Sequence, residues 1–148
     1  MPSYVCKAAS VNDPTLPEHP WVQTLGPHLY LQTYPARFGD EELAVFLAFT
    51  EAFIHAAPTP YAWVVDIGGM MRSSGKQRKA ITDLGKRTES WARQHSAGTA
   101  IVAKSAIARA LVKTTYLVKK PPFEVAVVQT VDEGAEWARK QLSAQGIG

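Results

Sequence analysis

Two adjacent hydroxyl groups, those of Ser73 and Ser74, stand in a cation-rich stretch of this 148-residue chain. The cations around them are Arg72, Lys76, Arg78 and Lys79. A phosphate on a serine adds negative charge and acceptor oxygens, which neighbouring lysine and arginine side chains bind. Because Gln77 follows three residues after Ser74, the pattern of a capping box predicts that Ser74 caps a helix beginning at Gly75. Ser73 then stands just outside the helix, where we expect an exposed hydroxyl, and both serines are candidate phosphorylation sites.

The same segment is a candidate binding surface for an anionic group or a partner protein. It follows an apolar run that predicts a strand ending at Asp66, and Gly68-Gly69 supply a turn whose backbone is free to take positive φ. Ligands of open α/β sheets bind at the carboxyl ends of strands, and helix N-termini attract anions. We expect Asp66 to bond loop amides rather than to hold Mg²⁺, since no second acid adjoins it. The predicted binding residues are Asp66, Gly68, Gly69, Arg72, Lys76, Arg78 and Lys79.

Patterns of known catalytic sites are missing from the sequence. The four histidines are scattered, no Gly-x-Ser-x-Gly elbow occurs, and the segment 68–76 fails the phosphate-loop pattern because Gln77 follows Lys76. We therefore expect no catalytic residues, no metal and no cofactor, and a protein that is not an enzyme. An enzyme with an unrecognised site remains the alternative.

Charge is distributed unevenly along the chain. Residues 1–66 carry a net charge of −5, residues 67–123 carry +10, and residues 124–148 carry −2. This pattern predicts a face that attracts a phosphate, an acidic protein patch or a membrane surface. Nucleic acid is not the expected partner, because the basic residues lack the interleaved aromatics of single-strand binders. Two solvated basic helices are the alternative interpretation.

Alternating strand and helix patterns predict an α/β fold. The order is β-β-α-β-α-β-α-β-α, which implies a mixed sheet of about five strands, mostly parallel, with an N-terminal hairpin and about four helices. The hairpin is predicted from the runs Trp21–Leu25 and Leu29–Tyr34. In the third helix, the residues predicted to face the core are Ile107, Leu111, Thr114 and Val118.

Length and composition predict one domain at residues 20–148, preceded by an arm at residues 1–19. No apolar run approaches the roughly 20 residues that a transmembrane helix needs, although peripheral membrane contact stays open. The N-terminus lacks a signal pattern, and the lone Cys6 leaves no partner for an intramolecular disulfide. A cytoplasmic location is the expectation.

Three motifs resemble the STAS domains of bacterial anti-sigma-factor antagonists and, more closely, a broad STAS/SEC14-like set of small bacterial proteins. They are Val-Val-Asp-Ile-Gly-Gly-Met-Met-Arg-Ser-Ser-Gly from Val64, Phe-Glu-Val-Ala-Val-Val from Phe123 and Glu-Gly-Ala-Glu-Trp-Ala from Glu133. The resemblance spans residues 20–143. It implies that Ser73 matches the serine that a partner kinase phosphorylates in an Asp-Ser-Ser-Gly turn. Here Arg72 replaces the aspartate of that turn, and the segment before Ser73 is shorter.

The resulting functional prediction is a non-enzymatic regulatory module that binds another bacterial signalling protein, either a kinase or a regulator. Serine phosphorylation would switch that binding. The SEC14-like part of the resemblance implies an alternative, a small carrier that holds a lipid-like ligand between helices and sheet. The predicted lining of its cavity is Phe46, Phe49, Met70 and Trp91. A homodimer through the hairpin is also predicted, on the expectation that Trp21, Tyr30 and Tyr34 are exposed at a sheet edge.

Overall fold

A computed structural model of the chain describes residues 16–147, so most of the predicted arm lies outside the described residues. The strands are β1 (Val22–Gly26), β2 (Leu29–Thr33), β3 (Tyr61–Asp66), β4 (Ser96–Val102) and β5 (Val125–Val128). The helices in this range are α1 (Asp40–Ala56), α2 (Gly75–His95), α3 (Ala106–Val118) and α4 (Val131–Ala144), and a short 3₁₀ helix spans Gly69–Arg72. The predicted α/β fold is confirmed.

The five strands form one mixed sheet in the order β1-β2-β3-β4-β5. β1 and β2 form the predicted antiparallel hairpin, and the other neighbours pair in parallel. The hairpin turns through His28, which has a φ of 66° and whose Nδ1 lies 2.7 Å from the carbonyl oxygen of Pro60. Because β2, β3, β4 and β5 run in parallel, their carboxyl ends meet at one edge of the sheet. Thr33 pairs there with Asp66, and Asp66 pairs with Val102.

One face of the sheet packs against α4. The shared core contains Leu29, Val64, Ala100 and Val102 from the strands, with Ala135, Ala138 and Leu142 from the helix. The helix side of this contact consists largely of small residues, namely Gly134, Ala135 and Ala138. A Cβ on Gly134 would lie 3.0 Å from Val64 Cγ1 and 3.2 Å from Ala100 Cβ. The absence of a side chain at Gly134 therefore lets the helix approach the strands closely.

The opposite face is covered by α1, α2 and α3, and its centre is aromatic. Tyr30, Phe53 and Trp63 pack together, with centroids of the Phe53 and Tyr30 rings 4.8 Å apart. From the predicted arm, Leu16 packs against this cluster, and the ring of His19 lies 5.0 Å from that of Phe46. These two residues of the arm thus pack against the core of the domain.

The expectation of exposed aromatics on the hairpin was wrong. Tyr30 is 2% exposed and Tyr34 6%, because both side chains point into the aromatic core. Trp21 is half-buried, and its ring centroid lies 4.8 Å from that of Phe46. The hairpin edge therefore lacks the apolar surface on which the prediction of a homodimer was based.

The predicted inward face of α3 was also wrong. Ile107, Leu111 and Val118 are 75%, 53% and 86% exposed. The helix packs instead through Ala108, with Val112 and Tyr116 along the same side. Apolar residues recur at helical spacing on both faces of this helix, starting from Ile107 on one and from Ala108 on the other. Periodicity alone could therefore not select the buried face.

Candidate functional site

The predicted site lies where β3 gives way to α2, at the carboxyl edge of the sheet. Asp66 ends the strand, and its Oδ1 accepts a hydrogen bond from the Gly68 amide at 3.0 Å. Its other oxygen lies 3.6 Å from Lys104 Nζ. The carboxylate thus holds the turn through a loop amide, as predicted from the sequence. It also links the end of β3 to the segment after β4.

The two glycines of the turn do not adopt the positive φ that the sequence suggested. Gly68 is helical, with a φ of −49°. Gly69 is required for a different reason, since a Cβ there would collide with the carbonyl oxygen of Pro35 and lie 2.6 Å from that of Tyr34. Gly69 therefore allows the segment after β2 to cross the turn at close range.

Ser74 caps α2, as the sequence predicted. Its Oγ accepts from the Gln77 amide at 3.0 Å, and Gln77 Oε1 accepts from the Ser74 amide at 3.0 Å. The side-chain nitrogen of Gln77, Nε2, donates to the Phe38 carbonyl at 3.1 Å and to Asp40 Oδ1 at 3.0 Å. Gln77 therefore joins the first turn of α2 to the first turn of α1, a link that the capping pattern alone did not predict.

Ser73 is buried, which corrects the expectation of an exposed hydroxyl. The residue is 6% exposed, and its Oγ donates to the Met70 carbonyl at 2.6 Å. The hydroxyl folds back on the 3₁₀ helix, whose last carbonyls need donors. A kinase would have to break this hydrogen bond before it could use Ser73. Ser74 is exposed, but its oxygen already serves as the cap.

A cleft of about 400 Å³ opens at this junction. Its lining consists of Ala36, Arg37, Phe38, Gly69, Arg72, Ser73 and Gln77. Arg37 and Arg72 are both exposed, and neither forms an ion pair with any acid within residues 16–147. The predicted residues Gly69, Arg72 and Ser73 are therefore brought together beside a second cation. Sequence reasoning missed Arg37, although its position after β2 is one that parallel pairing with β3 would bring to this edge.

The other predicted cations make bonds within the protein. Lys76 lies 3.3 Å from Asp40, and Lys79 lies 2.8 Å from Asp83. The hydrogen bond from Lys79 lowers the pKa of the Asp83 carboxyl below its ordinary value. Further along α2, Arg87 pairs with Glu51 and Arg93 with Glu89. Arg78 is exposed and, within the described range, makes no ion pair. Most of the α2 charge is thus compensated, as the solvated-helix alternative predicts.

A second cavity of about 390 Å³ lies between α2 and α3. Apolar side chains of Ile54, Trp63, Tyr116 and Phe123 line it, together with Lys120. Its lining includes none of Phe46, Phe49, Met70 and Trp91, the residues predicted to surround a carried ligand. Phe46 is instead 1% exposed inside the aromatic core. This cavity is therefore not lined by the residues that the sequence predicted for a carrier.

No protein-family model, no curated protein and no solved structure matches this chain. The resemblance to STAS domains stays a prediction. Within residues 16–147, no group of three or more histidine, cysteine, aspartate or glutamate side chains could hold a metal ion. In the same part of the chain, no helix combines the length and apolarity needed to cross a bilayer.

Proposed function

We propose that this chain is a STAS-like regulatory module, without catalytic activity of its own, that binds an acidic or phosphorylated segment of another signalling protein. The observation that carries the proposal is the cleft lined by Arg37, Arg72 and Ser73. Two guanidinium groups that have no acid partner within residues 16–147 favour a carboxylate or phosphate, because arginine binds such anionic groups through paired hydrogen bonds.

The position of the cleft supports the same interpretation. It lies at the carboxyl ends of β2 and β3, where open α/β sheets bind their ligands. Of the α2 cations that were first expected to bind a partner, Lys76 and Lys79 pair with Asp40 and Asp83, whereas Arg78 makes no ion pair in the described chain. Arg37 and Arg72 are free of such partners in the described chain, so they attract an anion more strongly than the paired lysines do.

Phosphorylation of Ser73 would act on this cleft directly. A phosphate there would place negative charge on the wall of the cleft, beside the two arginines that bind the partner. The phosphate would then compete with the partner's anionic group, and binding would weaken. The reaction requires Ser73 to leave Met70 first. We therefore propose that the kinase acts on an opened form of the turn.

A matched pair of double variants tests the proposal. Arg37→Ala with Arg72→Ala removes both cleft cations, whereas Arg139→Ala with Lys140→Ala removes two exposed cations from α4. Proteins retained by the wild-type chain should be lost from the cleft variant, and raising the salt concentration should reproduce that loss. The α4 variant should retain them. Equal retention by both variants would show that the cleft is not the binding surface.

A carrier of amphiphilic ligands is the second candidate, favoured by the apolar cavity between α2 and α3. Gly85 lines this cavity, and a Cβ on it would meet no atom within 4 Å. Gly85→Leu should therefore fill the cavity without disturbing the fold. Mass spectrometry of the purified chain should detect a ligand with the wild type and not with the variant. A wild-type chain that carries no ligand and binds no fluorescent fatty acid contradicts this candidate.

A further inference from the structure

The outer face of α3 carries exposed apolar side chains. Ile107, Leu111, Leu117 and Val118 are 75%, 53%, 86% and 86% exposed. Large apolar side chains at such exposure cost free energy in water. Elsewhere in the described chain the exposed large hydrophobics are Val45 and Met71, which belong to other elements. Four of the six exposed large hydrophobics of the described chain therefore lie in this one helix.

These side chains form one stripe. At 100° per residue, the positions of Leu117, Ile107, Val118 and Leu111 fall within roughly a third of the circumference of α3. The side that packs on the sheet is the one with Ala108, Val112 and Tyr116. The stripe therefore points away from the domain. The solvent-facing side of α3 is thus also apolar, in addition to the side that packs on the sheet.

Several cations lie on α3 and directly after it. The segment 90–123 contains six lysine or arginine residues and no acid. Two of these cations, Lys104 and Arg109, contact Asp66 and the Ala103 carbonyl. Lys113, Lys119 and Lys120 are exposed, and no acid of the described chain lies within ion-pair distance of them. Residues 107–120 thus carry exposed apolar side chains together with three positive charges that no acid of the described chain compensates.

We propose that α3 docks on an anionic phospholipid surface, with the stripe in the interface and Lys113, Lys119 and Lys120 against the headgroups. Interfacial helices bind through this combination of apolar area and attraction to anionic lipid. A second copy of the chain is disfavoured as the occupant, since residues 90–123 contain no acid with which these lysines could pair. With only four apolar side chains available, the contact is reversible and depends on salt.

Cosedimentation of the full chain with vesicles tests this proposal. The vesicles are made of phosphatidylcholine alone or of phosphatidylcholine with phosphatidylglycerol. The wild-type chain should bind the anionic vesicles at least about tenfold more strongly than the neutral ones, and added salt should weaken that binding. Equal binding to both, or binding to neither, overturns the proposal.

Two triple variants separate the apolar and the charged contributions. Ile107→Ser with Leu117→Ser and Val118→Ser removes the apolar contact, and Lys113→Gln with Lys119→Gln and Lys120→Gln removes the charge. Each should reduce binding to anionic vesicles by about tenfold or more. As controls, Val45→Ser and Arg139→Gln with Lys140→Gln should bind as the wild type does. Circular dichroism checks that each variant is folded.

Two further outcomes would assign the stripe to another occupant. Light scattering that shows a dimer in the wild type and a monomer in the serine variant would identify a second copy of the chain. Capture of a defined acidic protein that needs Leu117 and Lys120, without any vesicle binding, would identify a protein partner. Either result overturns the membrane proposal.

Discussion

The side-chain amide of Gln77 donates to the carboxylate of Asp40 at 3.0 Å, across 37 positions of sequence. The same amide donates to the Phe38 carbonyl at 3.1 Å, while its oxygen completes the cap of α2. One side chain therefore links the N-terminal turns of two helices. It also forms part of the wall of the cleft between them.

This double role reverses the usual effect of a conservative change. Glutamate is a common partner in a capping box, so Gln77→Glu would ordinarily be neutral near a helix N-terminus. Here the new carboxylate would face Asp40 and lose both donated hydrogen bonds. We expect the free energy of unfolding to fall by about 1–2 kcal/mol at neutral pH, measured by urea denaturation. A variant as stable as the wild type would show that the bonds to Phe38 and Asp40 contribute nothing.

Both serines of the turn should contribute to stability, because Ser73 is buried and not exposed as the sequence predicted. Ser74→Ala removes the cap and should cost about 1 kcal/mol. Ser73→Ala should cost a similar amount, about 0.5–1.5 kcal/mol, because it deletes a buried hydrogen bond to Met70. Ser73→Asp should cost more than either, since it buries a charged acceptor against a carbonyl. Thermal melts of the three variants test this order. A stable Ser73→Asp would mean that the side chain leaves its buried position easily.

Gly69 should not tolerate a methyl group. In Gly69→Ala the new Cβ would overlap the backbone carbonyl of Pro35, and backbone yields less than a flexible side chain. We expect a loss of about 2 kcal/mol or more in the free energy of unfolding. Gly85→Ala is the matched control, because its Cβ has open space and lies inside a helix. It should gain about 0.5–1 kcal/mol, and equal effects of the two changes would contradict this account of Gly69.

Stability should decrease in mild acid because of His19. Burial lowers the pKa of this imidazole below its ordinary value of 6.5, and its Nδ1 accepts a hydrogen bond from the Trp21 amide at 3.1 Å. The unfolded chain therefore binds a proton at a higher pH than the folded chain does. The contribution of His19 to the free energy of unfolding should be constant above its ordinary pKa of 6.5 and fall as pH drops from there towards the folded pKa.

The variant His19→Phe isolates this effect. It keeps a ring against Phe46 and Phe49 but cannot take up a proton. Urea denaturation at about pH 7.5 and about pH 5.5 should show a smaller difference in the variant than in the wild type. The same difference in both chains would assign the acid sensitivity to other groups.

The sequence predicted those features that depend on local chemistry. The capping box at Ser74 formed, because cap and partner lie three residues apart and need no tertiary contact. The order of strands and helices was predicted correctly from the periodicity of apolar residues. The hairpin formed as well, around a turn that carries glycine and proline.

Features that depend on tertiary packing escaped prediction. Arg37 reaches the cleft only because β2 lies beside β3, and Ser73 is buried because a 3₁₀ helix precedes it. In α3, both the face that begins at Ile107 and the face that begins at Ala108 carry apolar residues, and packing on the neighbouring strands buries only the second. These choices depend on neighbours distant in sequence, which one chain's pattern does not specify.

The order in which the elements are synthesised leaves one face of the sheet uncovered until late in translation. Each strand neighbours the one made just before it, so the sheet can be extended in the order in which the ribosome delivers the chain. The face that holds Leu29, Val64 and Val102 is different, because its covering helix, α4, is synthesised after all five strands. Until residues 131–144 emerge from the ribosome, the apolar side chains of that face are exposed and can associate with other nascent chains. A message truncated ahead of α4 would therefore yield a product prone to aggregation and dependent on chaperones.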